Sequence, residues 1–272
     1  MTWADAVLSV TAGLLISVVT TPVGVSGAVF LLPVQLSVLA VPNPAVTPTN
    51  LLFNIVAGPG ALLRYRRRGG LAGPLTRLLL LGTLPGVVVG AVIRVFVVPG
   101  PDGFRLVIAA LLFPLGLWLC LRAATDRSWR VGPPHRRGPT PSRPRLAAFA
   151  GVVGVVGVVG GIYGVGGGSI LGPVLVGRGM PVAVVAPAAL ASTFVTSVAG
   201  AATFSALALT GRGDIAPEWG VGLLCGLGGL VGGYLGAHLQ PRLPERALRG
   251  TLGALAVALA VVYAAQAAAS LG

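Results

Sequence analysis

The chain has 272 residues, of which 55% are hydrophobic and 9% charged, and its mean hydropathy of +0.92 excludes a soluble domain, where about a quarter of residues are charged. A polytopic membrane protein is implied. Its formal net charge of +13 comes from nineteen basic residues, all arginine, against six acids, a balance that would point to nucleic acid if most of the arginines did not fall between apolar blocks.

Those blocks run over Ala6–Val41, Ala45–Leu63, Pro74–Val98, Phe104–Leu121, Leu146–Val176, Met180–Leu209, Trp219–Gln240 and Ala247–Ala269. Most reach the ~20 residues that a spanning helix needs. The opening Met1-Thr-Trp-Ala-Asp5 lacks the positive charge that begins a signal peptide, so the first block is expected to be retained as a span. Arg64, Arg66, Arg67 and Arg68 follow the second block, and Arg122, Arg127, Arg130, Arg136, Arg137, Arg143 and Arg145 sit in or beside the Pro-rich stretch Ala123–Pro144. Both clusters are expected on the cytoplasmic side, where they set topology and meet anionic headgroups. No nucleic-acid role is assigned to them; the expected surroundings are the lipid bilayer, with self-association left open.

Sliding the sequence on itself aligns Gly24 with Gly164, Gly27 with Gly167 and Pro33 with Pro173, a constant offset of 140. After a one-residue gap, Pro48-Thr-Asn-Leu51 aligns with Pro187-Ala-Ala-Leu190, and later Gly86-x-x-x-Gly90 with Gly232-x-x-x-Gly236. The chain therefore reads as an internal duplication: residues 1–122 form a first transmembrane repeat, 123–145 a basic Pro/Arg-rich cytoplasmic linker, and 146–272 a second repeat. The linker has little to bury and is expected to be exposed. The Gly-x-x-x-Gly pairs are read as helix packing.

The first and fifth blocks are longer than one span requires. If the glycines inside each only kink a helix, the chain makes eight crossings and its halves are parallel; if they form turns, there are ten segments and the halves are inverted. The loop at Arg64–Arg68 is basic, whereas its counterpart near Gly211-Arg-Gly-Asp214 is neutral and Arg242, Arg246 and Arg249 crowd the next loop. That reversal favours inversion. The expected fold is an all-α polytopic membrane protein of eight to ten helices or half-helices in two homologous, inverted repeats with Gly-rich breaks.

The breaks are the candidate site. Val19-Thr-Thr-Pro-Val-Gly-Val-Ser-Gly-Ala-Val-Phe-Leu-Leu-Pro33 and Gly160-Gly-Ile-Tyr-Gly-Val-Gly-Gly-Gly-Ser-Ile-Leu-Gly-Pro173 interrupt helices at membrane depth, where freed backbone groups need protein or a water-filled cavity as partner. The second half of a broken helix presents N–H groups and the positive end of its dipole, which suits an anion, and paired breaks mark substrate sites in transporters with inverted repeats. Gly24, Ser26, Gly27, Gly164, Gly166, Gly167, Gly168 and Ser169 are the leading candidates for binding it; the alternative role of such glycines is tight helix crossing. Thr47, Thr49, Asn50 and Asn54 follow the first break, and Ser192, Thr193, Thr196 and Ser197 the second. Asn50 and Asn54 share a helical face. Thr49, Asn50, Asn54, Ser192 and Thr193 join the candidate substrate-binding set, with hydrogen bonding between helices the alternative for the hydroxyls.

No acidic residue is placed deep in a span: Asp5, Asp102, Asp126, Asp214, Glu218 and Glu245 fall in loops or at block ends. A carboxylate proton relay is thus not supported. His238 is read as an interfacial residue, and Arg94 and Arg178 as able to snorkel to water from block ends. Cys120 and Cys225 have neither Cys-x-x-Cys nor zinc-like spacing, and neither metal nor cofactor is expected.

Gly164-Val-Gly-Gly-Gly168 followed by Pro173, Met180-Pro181 and Pro187-x-x-Leu190, together with Val23-Gly-Val-Ser-Gly27, Pro33, Thr49-Asn-Leu51 and Arg64-Tyr-Arg-Arg-Arg-Gly69 in the first half, resemble the sulfite exporter TauE/SafE family over essentially the whole chain. The resemblance implies a transporter in a prokaryotic inner membrane and not an enzyme, acting on sulfite, sulfonates such as sulfoacetate, or other small sulfur-containing or organic anions. Ser26 and Ala28 stand where the resemblance leads one to expect a fuller glycine run, and Pro187-Ala-Ala stands in place of a Gly-Thr-Ser-like triplet. Two other readings compete: an anion channel, which also needs a polar constriction, and a membrane thiol-disulfide electron carrier using Cys120 and Cys225. The cysteines are not equivalent under the repeat, which counts against the carrier of electrons.

Overall fold

The computed structural model of the protein describes residues 2–69, 71, 73–96, 113, 114, 116–118, 120, 121, 123, 124, 143–209 and 215–271. Most of the fourth apolar block, the interior of the 123–145 linker and the Gly211–Asp214 loop lie outside the described residues.

Helix α1 (Trp3–Thr20) opens with a reciprocal cap: the Thr2 N–H donates to Asp5 Oδ2 at 2.8 Å and the Asp5 N–H to Thr2 Oγ1 at 3.2 Å, satisfying two donors that the helix itself leaves over. It ends in a 3₁₀ turn over Thr21–Val23 that contains Pro22, which has no N–H to continue the ladder, and Gly24 then takes φ 79°. A short helix α2 (Ala28–Ser37) follows, then α3 (Asn43–Arg66) and α4 (Pro74–Phe96). The second half repeats the order with α5 (Arg143–Tyr163), a break in which Gly164 and Gly166 take φ 67° and 72°, α6 (Gly167–Gly177), α7 (Val182–Ala208), α8 (Trp219–Leu239), a 3₁₀ turn over Gln240–Arg242, and α9 (Glu245–Leu271). Gly24 and Gly164, aligned by the repeat, share the left-handed backbone that costs glycine nothing. Each break is therefore a turn between two helices, the arrangement expected for ten segments rather than eight.

Six helices among the described residues are long and apolar enough to cross a membrane. By contrast α2 and α6 have ten and eleven residues, about half of a ~30 Å hydrocarbon layer at 1.5 Å per residue.

Close approaches at glycine fix the direction of each helix. On α8, Gly228 and Gly232 lie against the Val10 and Leu14 carbonyls of α1, while Gly222, Gly226 and Gly229 take Leu52, Val56 and Phe53 of α3, so α1, α3 and α8 run the same way. On α4, Gly86 and Gly90 lie against the Gly154 and Val158 carbonyls of α5, and Thr83 and Val87 meet Ser192 and Gly200 of α7, so α4, α5 and α7 run together. The sets are opposed, because Gly58 meets Phe194 whereas Leu51 meets Gly200. Among the described residues the repeat-related helices α1 and α5, α3 and α7, and α4 and α8 thus point in opposite directions. The halves are inverted, and both Gly-x-x-x-Gly pairs serve backbone approach, as small residues do in membranes.

The outward surface is apolar. Leu81 is 78% exposed, and Leu15, Val155, Leu227 and Val261 are also exposed, a pattern suited to lipid. The polar side chains turn inward: Ser26, Thr47, Asn50, Asn54, Thr83, Ser169, Ser192 and Thr193 are all buried. At one end of the bundle the Arg68 guanidinium donates to the Ala237 carbonyl at 3.1 Å, the Tyr65 hydroxyl to Thr21 O at 3.2 Å and Gln240 Nε2 to Pro22 O at 2.8 Å. Glu245 closes the start of α7 there by accepting from Val182 N–H at 2.8 Å while pairing with Arg249 at 3.1 Å, a carboxylate placed where the helix dipole favours it.

Candidate functional site

The two half-helices begin side by side in the middle of the bundle and run apart. The Ser26 N–H, just ahead of α2, donates to Ser169 Oγ in the first turn of α6 at 3.2 Å. From there α2 heads for the end where α3 begins, and α6 for the end where α9 begins. Two helix N-termini, each equivalent to roughly half a positive charge, therefore face one centre. Both begin after a glycine with no side-chain cap, Gly27 for α2 and Gly166 for α6, and the Ser26 hydroxyl accepts from Ala28 N–H at 3.2 Å.

Side chains of α3, α4 and α7 complete the site. Asn54 joins both breaks: its Nδ2 donates to Gly164 O at 3.1 Å and its Oδ1 accepts the Ser26 hydroxyl. Thr193, 139 residues later in the repeat register, occupies the matching place over Gly166, and its hydroxyl lies 3.2 Å from Ser169 Oγ. Ser192 Oγ stands 3.1 Å from Thr83 Oγ1. Beside this cluster is a cavity of about 30 Å³ bordered by Ser17, Thr21, Ser26, Asn54 and Thr193 on its polar side and by Phe53 and Phe194. It has room for about two waters.

The structure brings Ser26, Asn54, Ser169, Ser192 and Thr193 together. The glycines stand among them in close packing: a Cβ at Gly24 would lie 2.5 Å from Ala186 Cα, at Gly27 3.0 Å from Phe53 Cζ, at Gly166 2.7 Å from Thr193 Cγ2 and at Gly167 2.6 Å from Thr83 Cγ2, and at Gly164 and Gly168 it would overlap the Thr47 and Ala189 carbonyls. Close approach accounts for these glycines whatever binds at the helix ends. Thr49 is elsewhere: its hydroxyl donates to Ala45 O at 2.6 Å and accepts from Glu218 N–H at 2.9 Å, tying α3 to the start of α8. Asn50 is fully buried beside Gly164, with neither amide atom hydrogen-bonded.

Two residues escaped the sequence reading. Thr83 had a signal, since it lies on the face of α4 that carries Gly86, Val87 and Gly90. Arg94, expected to reach water, is instead 6% exposed, with Nε donating to Thr47 Oγ1 at 3.3 Å; its position at a helix end does not reveal whether its flank faces lipid or protein. Cys225 packs against Gly13 of α1 and Cys120 against Gly253 of α9, on different helix pairs.

No curated protein and no solved structure matches the chain. A family comparison matches residues 9–263, through both breaks and both half-helices, to the family described as Sulfite exporter TauE/SafE. With nearly its whole length inside that match, the chain belongs to the TauE/SafE family of membrane transporters.

Proposed function

We propose that the protein is a secondary transporter that exports a small sulfur-containing or organic anion, such as sulfite or sulfoacetate, by binding it between the N-termini of α2 and α6. The observation that carries this reading is the juxtaposition of the two half-helices, with Ser26 N–H 3.2 Å from Ser169 Oγ. The Ser26 backbone N–H, the hydroxyls of Ser26, Ser169 and Thr193 and the side-chain amide of Asn54 are neutral polar groups around two positive dipole ends, a set suited to holding an oxyanion without a fixed cation and letting it leave. Rocking of one inverted half against the other would open the centre to each side in turn. An inside-negative potential, worth ~2.3 kcal/mol per charge per 100 mV, suffices to drive export without a coupled ion.

In this reading the protein sits in a prokaryotic inner membrane with the Arg64–Arg68 loop and the 123–145 linker on the cytoplasmic side. The test is uptake and counterflow of radiolabelled sulfite, sulfoacetate and thiosulfate in proteoliposomes, with and without an imposed potential. Gly167→Leu would force α6 away from Thr83, so Ser169→Ala combined with Thr193→Val, which adds no volume, is the better control. Saturable flux that responds to potential and falls at least about tenfold in the double variant, the equivalent of one charge-assisted hydrogen bond, supports the proposal. Absence of flux for all three anions, or flux untouched in the double variant, refutes it.

A further inference from the structure

We propose that the anion passes between the centre and the Arg64–Arg68 end of the bundle through the cavity beside Asn54, and that the glycine at position 233 keeps this passage clear. The inference rests on the transporter reading above and adds to it the route on one side of the site, lined by the hydroxyls of Ser17 and Thr21.

The cavity follows three helices that run the same way. Its lining goes from Ser17 to Thr21 at the end of α1, from Asn54 to Ala61 on α3 and from Gly229 to Gly233 on α8, a course of roughly 6–10 Å at 1.5 Å per residue. It leads from the helix breaks toward the end where Arg68 donates to the Ala237 carbonyl and Arg242 to the His238 carbonyl, each at 3.1 Å, a basic mouth that concentrates anions. Ser17 and Thr21 are buried, and neither hydroxyl has a hydrogen-bond partner among the described residues. Ser17 Oγ is aimed at the first break, because a Cβ on Gly27 would stand 3.1 Å from it.

Gly233 is the glycine of α8 that packing does not explain. At Gly226 and Gly229 a Cβ would come within 2.6 Å of Val56 and Phe53, and at Gly232 it would overlap the Leu14 carbonyl. Gly233 is also buried, yet a Cβ there would meet nothing closer than Ala61 N at 3.5 Å. The inverted repeat supplies the contrast. In the register of the Gly-x-x-x-Gly pairs Gly229 and Gly233 correspond to Thr83 and Val87, and Ser17 and Thr21 correspond to Gly157 and Gly161. Thr83 Oγ1 meets Ser192 Oγ at 3.1 Å, and Val87 Cγ1 lies 3.2 Å from the place of a Cβ on Gly200, the counterpart of Ala61. Two side chains thus occupy in one half the space that two glycines leave clear in the other, and the hydroxyls stand only on the clear side. Inverted halves that differ in this way give a carrier one passage prepared and one plugged.

The experiment combines sulfite flux in proteoliposomes with thermal unfolding of Gly233→Ala and Gly233→Val, the second of which reproduces the Val87 plug. In a Cys120→Ser, Cys225→Ser background, Ser17→Cys and Thr21→Cys are treated from each side with an impermeant, negatively charged methanethiosulfonate, and Gly69→Cys reports which side carries the Arg64–Arg68 loop. Both cysteines are expected to react from that side and more slowly when sulfite is present. Gly233→Val is expected to lower flux at least about tenfold and to slow both reactions while its unfolding temperature stays within about 4 °C of wild type; Gly233→Ala should keep more flux at the same stability. No reaction at either cysteine from that side, or flux in a folded Gly233→Val within about twofold of wild type, overturns the passage and leaves the central site standing. If Gly233→Val does not fold, the two cysteines decide alone. Wild-type protein that moves none of sulfite, sulfoacetate and thiosulfate brings down the transport reading instead, and the side from which the cysteines react then upholds or overturns the passage by itself.

Discussion

Asn54 ties both helix breaks together, and substituting it separates support of the fold from contact with the anion. Asn54→Ala removes the 3.1 Å bond to Gly164 O and the acceptor of the Ser26 hydroxyl. A buried group left without its partner costs about 1–3 kcal/mol, and bonds between membrane helices average about 0.6 kcal/mol, so a loss of about 1–3 kcal/mol in stability is expected. Asn54→Asp keeps the acceptor for Ser26 and nearly the same volume, but places a negative charge at the helix ends. Against an anion ~5 Å away at an effective dielectric near 20, the repulsion is about 3 kcal/mol, or more than a hundredfold in affinity. The assay is sulfite flux in proteoliposomes normalised to folded protein, with thermal unfolding in detergent run in parallel. Asn54→Asp is expected to lose far more flux per folded protein than Asn54→Ala. Equal flux in the two variants, tracking only the amount of folded protein, would show that Asn54 braces the breaks without meeting the anion.

Gly24→Ala meets Ala186 Cα at 2.5 Å and Gly164→Ala overlaps Thr47 O, both at positive φ, so each is expected to cost well over the ~1–2 kcal/mol of left-handed strain alone and to lower the yield of folded protein. Gly69→Ala shares the positive φ with nothing within 4 Å and should lose only that strain; equal losses at all three positions would remove the packing argument. The Cys120→Ser, Cys225→Ser double variant should keep wild-type flux, because the two thiols sit on separate helix pairs, and abolition of flux would revive the electron-carrier reading. In that cysteine-free background, Gly69→Cys should react with an impermeant thiol reagent from the cytoplasmic side and Val38→Cys from the opposite side; the reverse labelling would invert the proposed orientation.

Hydropathy and the glycine register made much of this protein legible in its sequence. Lipid leaves a chain few ways to satisfy its backbone, so long apolar blocks must be helices, and glycine and proline at a fixed offset of 140 must break two of them alike. Loop arginines pointed to inversion, which the antiparallel course of α3 and α7 bears out. Ser26 and Asn54 were legible as polar residues at depth, but that Asn54 joins both breaks depends on α3 crossing beside α5, a contact between residues 110 apart that no local pattern encodes. Tertiary structure alone also decided that Thr83 closes on Ser192, that Thr49 serves α8 rather than the centre, and that Arg94 faces Thr47 instead of water. The physical reason is common to all of these: composition and period determine which face of a helix is polar, whereas the neighbour that face meets is set by how close glycine lets two backbones come.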